Sequence, residues 1–284
     1  MITEYKEKIS LKMLIIISLL TIVSKISRKK LWSFVVHKRQ NFIQPKRQHK
    51  ASVYEINGIK VIRFSQTNEA EKYVVYFHGG GFVMSGNRRH HNFIINLSKK
   101  TDFTCYYIDY PLAPKNKAVE VIEKIESVIK EIQKQEIDKE MILLGDSAGG
   151  NLALVLSKKF PKVKSIILLS PWLDLTMTNP KIIEMERQEI MFSKHDLLGA
   201  AMDYQGNLEL NNVMVSPIYD DFTDKEINIF AGKDDLLFPD VLKFTEINNC
   251  VNLHKYHGLK HDFMFILEGK EQKHVLNEIT KYLK

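Results

Sequence analysis

Gly145-Asp-Ser-Ala-Gly-Gly-Asn151 sets the architecture of this chain, because it stands where a strand pattern gives way to a helix pattern. The apolar run Met141–Leu144 before it is short enough for a buried strand, and Leu152–Lys159 after it reads as a helix. Gly-x-Ser-x-Gly in that setting is typical of a tight, strained turn that exposes a serine hydroxyl. Side chains in place of its glycines would collide with neighbouring backbone. The stretch therefore predicts Ser147 as a nucleophile.

Three consecutive glycines follow another predicted strand, in His78-Gly-Gly-Gly-Phe82. Without Cβ atoms, their backbone N–H groups can approach a ligand oxygen closely. The amide after the nucleophile opens a helix, so its N–H also points toward developing negative charge. We therefore predict an oxyanion hole formed by the N–H groups of Gly79, Gly80 and Ala148.

A nucleophilic serine needs a base, and the candidates lie in the C-terminal part of the chain. His261 lies in Gly258-Leu-Lys-His-Asp-Phe263, a loop beyond the last predicted strand, and we choose it over His257, which precedes a glycine as a turn residue does. The acid that orients the base should follow the preceding strand, where Asp234 and Asp235 both qualify. Either carboxylate could hold the imidazole tautomer and stabilise the imidazolium.

Strand and helix patterns alternate along most of the chain. Strand-like runs are Ser52–Ile56, Ile59–Phe64, Tyr73–Phe77, Phe103–Ile108, Met141–Leu144, Ser165–Leu169, Ile227–Phe230 and Val251–Tyr256. Helix patterns include Val119–Ile132, Leu152–Lys159, Asp240–Asn248 and His274–Leu283. Asn57-Gly58 between the first two runs predicts a hairpin, so we expect the sheet to start at Ser52. The alternation predicts an α/β fold, a doubly wound and mostly parallel sheet with its ligand site at the carboxyl ends of the strands.

Two segments fall outside this alternation. Residues 176–215 lie between two predicted core strands and are polar, helix-prone and rich in Met, so we expect an insertion that forms part of a lid. Residues 1–50 form a basic and apolar arm with twelve Lys and Arg against two Glu, a balance of +10. The rest has 29 basic and 32 acidic residues, a balance of −3. We therefore predict an N-terminal arm over residues 1–50 and a catalytic domain over residues 51–284.

The apolar run Met13–Val23 within the arm must bury itself somewhere. Its eleven residues reach about 16 Å as a helix, short of the ~30 Å of a bilayer core. Ser24–Lys30 after it offers no small-residue cleavage site. We favour a helical lid over the active site, with peripheral membrane contact of residues 1–50 as the alternative. The near-neutral remainder argues against nucleic-acid binding, and we expect a cytoplasmic protein, membrane-associated in the alternative.

Taken together, these motifs resemble the hormone-sensitive-lipase-like group of α/β-hydrolases, the bacterial carboxylesterases and lipases in particular. Further matches are Asp109-Tyr-Pro-Leu-Ala-Pro114, Ser170-Pro-Trp-Leu-Asp174, Ser216-Pro217 and the His-x-Phe of His261 and Phe263. The resemblance covers roughly residues 73–265 and implies the α/β-hydrolase fold. That group places its acid three residues after a glycine, which selects Asp235 and leaves Asp234 as the alternative.

The reaction implied by this resemblance is ester hydrolysis through an acyl-enzyme. Ser147 would attack the carbonyl, His261 would accept its proton and Asp235 would orient the base, with no metal or organic cofactor. The expected substrate is a small acyl ester of short or medium chain length. An amidase or formamidase is an alternative, since the motifs do not separate amides from esters. A non-catalytic small-molecule binder is another, against which the presence of His261 argues.

Overall fold

The strands of this fold form one sheet in the computed structural model, which describes residues 1–22, 41–46, 51–65, 70–187 and 189–283. The strands within these ranges are β1 (Ile2–Tyr5), β2 (Ala51–Ile56), β3 (Ile59–Phe64), β4 (Lys72–Phe77), β5 (Thr104–Asp109), β6 (Glu140–Asp146), β7 (Ser165–Leu169), β8 (Glu226–Gly232) and β9 (Val251–Tyr256). Their order is β1-β9-β8-β7-β6-β4-β5-β3-β2. In this order, every neighbouring pair from β1 to β5 is parallel. The last two pairs, β5 with β3 and β3 with β2, are antiparallel. The predicted mostly parallel sheet is confirmed.

Helices cover both faces of the sheet. They are α1 (described over residues 11–22), α2 (Arg88–Thr101), α3 (Ala118–Gln135), α4 (Ala148–Lys159), α5 (Lys181–Glu186), α6 (Lys194–Gln205), α7 (Phe238–Ile247), α8 (Phe263–Ile266) and α9 (Lys270–Leu283). One apolar core joins α3, α4, α6 and α7 to one sheet face, and a second joins α1, α2, α8 and α9 to the other. Alternate residues of β4 supply the two cores, Val75 the first and Val74 the second. This period-two division is expected of a strand buried on both sides.

The predicted hairpin between β2 and β3 is confirmed. Ile56 pairs with Ile59, and the two turn residues Asn57 and Gly58 have φ angles of 51° and 80°. Positive φ at both central positions is the geometry that an Asn-Gly turn adopts readily.

The sheet begins much earlier in the chain than the sequence predicts. β1 pairs parallel to β9, with Ile2 opposite Leu253 and Tyr5 opposite Tyr256. The expectation that the sheet starts at Ser52 is therefore wrong, and residues 2–5 of the predicted arm belong to the sheet. A short edge strand is held largely by backbone hydrogen bonds to a partner, and no local pattern reveals a partner so distant in sequence.

The two predicted covering segments are placed by the same topology. The insertion 176–215 lies between β7 and β8 and supplies α5 and α6. In the N-terminal arm, α1 begins after Ser10, whose Oγ accepts a hydrogen bond from the N–H of Met13 at 3.3 Å. Residues 23–40 and 47–50 of the predicted arm lie outside the described residues. Across the described ranges, every helix is too short or too polar to cross a bilayer.

Candidate active site

Ser147 occupies the turn between β6 and α4 in a strained conformation, with φ 51° and ψ −118°. Its N–H donates to the carbonyl of Leu169 at 2.9 Å, which ties the turn to the neighbouring strand. A Cβ at Gly149 would lie 2.0 Å from the carbonyl oxygen of Phe77, and one at Gly145 would lie 2.2 Å from backbone. Glycine at both positions therefore allows α4 to pack directly on the sheet, as the sequence predicts.

The imidazole of His261, in the loop after β9, joins the serine to a carboxylate. Its Nε2 lies 3.1 Å from Ser147 Oγ, and its Nδ1 lies 2.9 Å from Asp235 Oδ2. The other oxygen of Asp235 accepts the N–H of Leu237 at 2.8 Å, which fixes the carboxylate after β8. All three side chains are buried. The structure thus brings together the three residues predicted as nucleophile, base and acid.

The alternative acid, Asp234, has a different partner. Its carboxylate lies 4.0 Å from Lys260 Nζ, and its side chain is 32% exposed. Of the two neighbouring acids, the structure brings Asp235 to the base.

A second carboxylate, which the sequence analysis missed, reaches the same imidazole. Asp262 Oδ2 lies 3.2 Å from His261 Nε2, the nitrogen that also faces Ser147. Asp262 adopts a left-handed conformation with φ 49° and ψ 34°, and its N–H donates to Ser170 Oγ at 3.2 Å. The available signal was its position directly after the predicted base.

These carboxylates set the charge of the base. Burial alone would lower the pKa of His261, but the charges and hydrogen bonds of Asp235 and Asp262 outweigh it and raise this pKa well above 6.5. Burial raises the pKa of Asp262 above the ordinary carboxyl value, and the nearby charge of Asp146 raises it further, against the opposing effect of His261. The site therefore favours the imidazolium that forms when a serine gives up its proton.

The predicted oxyanion hole requires one correction. The N–H of Gly79 donates to Oδ2 of Asp146 at 2.9 Å, so it is already bonded and its prediction as an oxyanion donor is wrong. Gly80 and Gly81 line the cavity beside the serine. Within the described residues their N–H groups have no hydrogen-bond partner, and neither has that of Ala148 at the start of α4. Gly81 was not predicted as a donor, although it is the third glycine of the same loop in the sequence.

The carboxylate of Asp146 holds the glycine loop in place through a hydrogen bond. Besides the N–H of Gly79, its carboxylate accepts the hydroxyl of Tyr76 and lies 3.4 Å from His90 Nε2. Burial would raise the pKa of Asp146, but His90 and Tyr76 outweigh this and hold it below the ordinary value. Asp146 thus has a structural role in holding the glycine loop, and His90 is a further polar group of the site that the sequence analysis missed.

A cavity of about 480 Å³ opens over the serine. Its apolar walls include Ile16 and Leu20 from α1, Ile190, Met191, Phe192 and Leu197 from the insertion 176–215, and Met84, Phe265 and Ile266. The ring of Phe192 meets that of His261 edge-on, with centroids 4.9 Å apart. Both segments that were expected to cover the site contribute to its walls.

Glu189 links the insertion to the loop that holds the acid. One carboxylate oxygen accepts the N–H groups of Ile190 and Met191 at 2.8 Å, and the other lies 3.4 Å from the N–H of Leu236. Burial and then the charge of Asp235 raise the pKa of Glu189. This buried group ties the wall of the cavity to the carboxylate behind the base, and the sequence analysis missed it.

Known proteins resemble this chain over most of its length. Residues 74–265 match the family described as alpha/beta hydrolase fold. An esterase from Acinetobacter venetianus is 28% identical over 238 residues, which cover 79% of this chain and 78% of that protein. The solved structure of a hormone-sensitive lipase from a metagenome library has a TM-score of 0.81 at 22% identity and covers 97% of this chain and 98% of that one. An esterase of the bacterial hormone-sensitive lipase family has a TM-score of 0.80 at 18% identity, covering 98% of both chains.

Proposed function

This chain belongs to the α/β-hydrolase fold family, and on that basis we propose that it hydrolyses short- to medium-chain acyl esters through an acyl-enzyme. It is a carboxylic ester hydrolase that resembles the hormone-sensitive-lipase-like group, as the motifs predicted. The observation that carries the proposed mechanism is the pair of contacts at His261, 3.1 Å to Ser147 and 2.9 Å to Asp235. This pair is the geometry that a serine nucleophile, its base and an orienting acid require.

In the proposed mechanism, Ser147 Oγ attacks the ester carbonyl carbon while its proton moves to Nε2 of His261. Asp235 keeps the other proton on Nδ1 and stabilises the imidazolium. The oxyanion accepts hydrogen bonds from the N–H groups of Gly80, Gly81 and Ala148. The imidazolium then protonates the leaving alkoxide. Water then attacks the acyl-enzyme while the same imidazole takes its proton, and the imidazolium returns that proton to Ser147 Oγ as the acid leaves.

The cavity supports an acyl ester as the substrate class. Its volume of about 480 Å³ falls within the range of about 300–1,000 Å³ usual for small-molecule sites. Apolar side chains dominate its walls, whereas the polar groups gather around the serine. A substrate with an apolar tail and one reactive polar centre matches this division.

The first test is Ser147→Ala, assayed on p-nitrophenyl esters of graded acyl length and on matched anilides. We expect kcat on the esters to fall by about 10⁴–10⁶-fold, as for loss of a triad nucleophile. Folding should be retained, because the Ser147 side chain does not cap α4 and Ala occupies less space. Near-normal ester hydrolysis by a folded variant would refute the proposal. Anilide cleavage by the parent at the rate of ester cleavage would point instead to an amidase.

A further inference from the structure

The outer face of α1 is apolar and exposed to solvent. Leu11, Ile15, Leu19 and Ile22 recur on one side of the helix and are 73, 50, 57 and 58% exposed. A helix on the surface of a water-soluble domain normally turns charged and polar residues outward. Such a contiguous apolar stripe marks a surface that binds another apolar phase.

The inner face of the same helix belongs to the active site. Met13 is fully buried against the core, and Ile16 and Leu20 line the cavity above the serine. α1 therefore has two apolar faces, one directed at the catalytic cavity and one directed outward. Whatever covers the outer face lies directly over the wall of the cavity.

The charges around α1 indicate the chemistry of this partner. Lys8 and Lys12 are exposed near the start of the helix, and neither has an ion-pair partner in the part of the chain that the structure describes. An apolar stripe with basic residues at its start is complementary to an anionic lipid surface.

The rim of the cavity is also positively charged. Arg89 lines the cavity together with Leu20, and Arg88 and Arg89 line an adjoining groove. Both side chains are exposed, and no described acid pairs with either of them. Basic residues therefore lie both at the start of α1 and at the rim of the cavity that α1 covers.

We propose that α1 docks by its outer face onto an anionic lipid surface and holds the catalytic cavity against that surface. Esters dissolved in the surface then reach the cavity beside Ile16 and Leu20 without crossing bulk water. This delivery of substrate rests on the proposed function, whereas the docking itself does not.

The test compares the full chain with Ile15→Asp/Leu19→Asp, which places two charges in the outer stripe and leaves the cavity wall intact. Ile137→Asp is the matched control, because Ile137 is 71% exposed and precedes β6 at the amino ends of the parallel strands, whereas the site lies at their carboxyl ends. Flotation uses phosphatidylcholine vesicles with or without about 30% phosphatidylserine. We expect the parent and the control to bind the anionic vesicles, and the double variant to lose binding about tenfold or more. Binding should weaken between about 0.05 and 0.5 M salt.

Two activity assays separate docking from catalysis. All three proteins should hydrolyse soluble p-nitrophenyl acetate equally, whereas only the double variant should lose activity on p-nitrophenyl decanoate held in anionic vesicles. If no ester is hydrolysed, the proposed function fails while flotation still decides the docking. A parent that does not float with anionic vesicles, or a double variant that floats as well as the parent, overturns the proposal. Self-association lost in the double variant without vesicle binding would overturn it too, and would assign the stripe to a second copy of the chain.

Discussion

Each ring nitrogen of His261, the base of the proposed triad, lies close to a carboxylate: Nδ1 to Asp235 and Nε2 to Asp262. Further titratable groups face this centre from other elements of the fold: Glu189 from the insertion, Asp146 and Tyr76 from β6 and β4, and His90 from α2. Nε2 must be unprotonated to accept the proton of the serine, yet Asp262 stabilises the protonated imidazole. The imidazole therefore becomes competent as a base at a higher pH than an ordinary histidine does.

We expect Asp262→Asn to move the acidic limb of the pH profile of kcat/KM downward. The sign follows from the raised pKa of His261: removing a negative charge 3.2 Å from Nε2 destabilises the imidazolium, so the base loses its proton at lower pH. One such neighbouring charge is worth about one pH unit or more. The measurement is kcat/KM for p-nitrophenyl acetate against pH, which reports the free enzyme.

Asp234→Asn is the matched control for this shift, because its carboxylate faces Lys260 and leaves the imidazole untouched. An acidic limb that stays in place in Asp262→Asn, or that moves equally in the control, would remove Asp262 from the protonation of the base.

The neighbouring acids Asp235 and Asp234 provide the test of which carboxylate orients the base. We expect Asp235→Asn to lower kcat by about 10⁴-fold, because an amide cannot hold the required tautomer of His261 or balance its charge. Asp234→Asn should leave kcat within a few fold of the parent. Steady-state kinetics on a soluble ester decide between them, and the opposite ranking would assign the role to Asp234.

Among the elements, α1 forms a wall of the acyl cavity. Leu20→Trp adds bulk inside the cavity, so kcat/KM should fall by about tenfold or more for esters of eight or more carbons and little for the acetate. Leu19→Trp is the control one residue away, since Leu19 is 57% exposed and points outward. The measurement is the ratio of the two specificity constants in each variant. Equal ratios in both variants would show that α1 does not limit the length of the acyl chain.

Local signals account for the elements that the sequence could predict. The hairpin at Asn57 and the turn at Ser147 each depend on backbone geometry that their own residues determine. The same reasoning failed for the donor at Gly79, because the acceptor of its N–H is a side chain from the end of another strand. It also missed α2, because two residues of its buried face are His90 and His91, which interrupt the apolar pattern that predicts a helix. What escaped the sequence analysis depends on contacts between distant segments.

At the scale of the whole molecule, the edge of the sheet contains a buried histidine. His254 of β9 stacks on Phe230 with ring centroids 4.3 Å apart, and its Nδ1 lies 3.1 Å from the hydroxyl of Tyr5 in β1. Burial lowers the pKa of His254 to about 4, although the charge of Glu278 opposes the shift. The packing of β1, β8 and β9 therefore depends on an imidazole that stays neutral.

We expect this histidine to make the free energy of unfolding fall as the pH drops from 6.5 to about 4. In that window the unfolded chain binds a proton that the folded chain does not, whereas above pH 6.5 both forms are neutral and the contribution is constant. Urea unfolding at pH 7 and pH 4.5 should show a loss about 1–2 kcal/mol larger in the parent than in His254→Asn. His195→Asn, at an exposed position on α6, is the control and should keep the loss seen in the parent. Equal losses in the parent and in His254→Asn would contradict this assignment.

The pairing of β1 with β9 also constrains the order in which parts of the chain can fold during synthesis. A ribosome makes Ile2 about 250 residues before its partner Leu253, a delay of roughly 10–50 s at ordinary rates of synthesis. Throughout that delay β1 has no edge to join, and the apolar helix α1 that follows it has no finished cavity to cover. The wall that α1 forms over the serine therefore cannot be anchored through β1 until β9 has been made. Until then the nascent chain carries an uncovered apolar segment that a chaperone or a lipid surface can bind first.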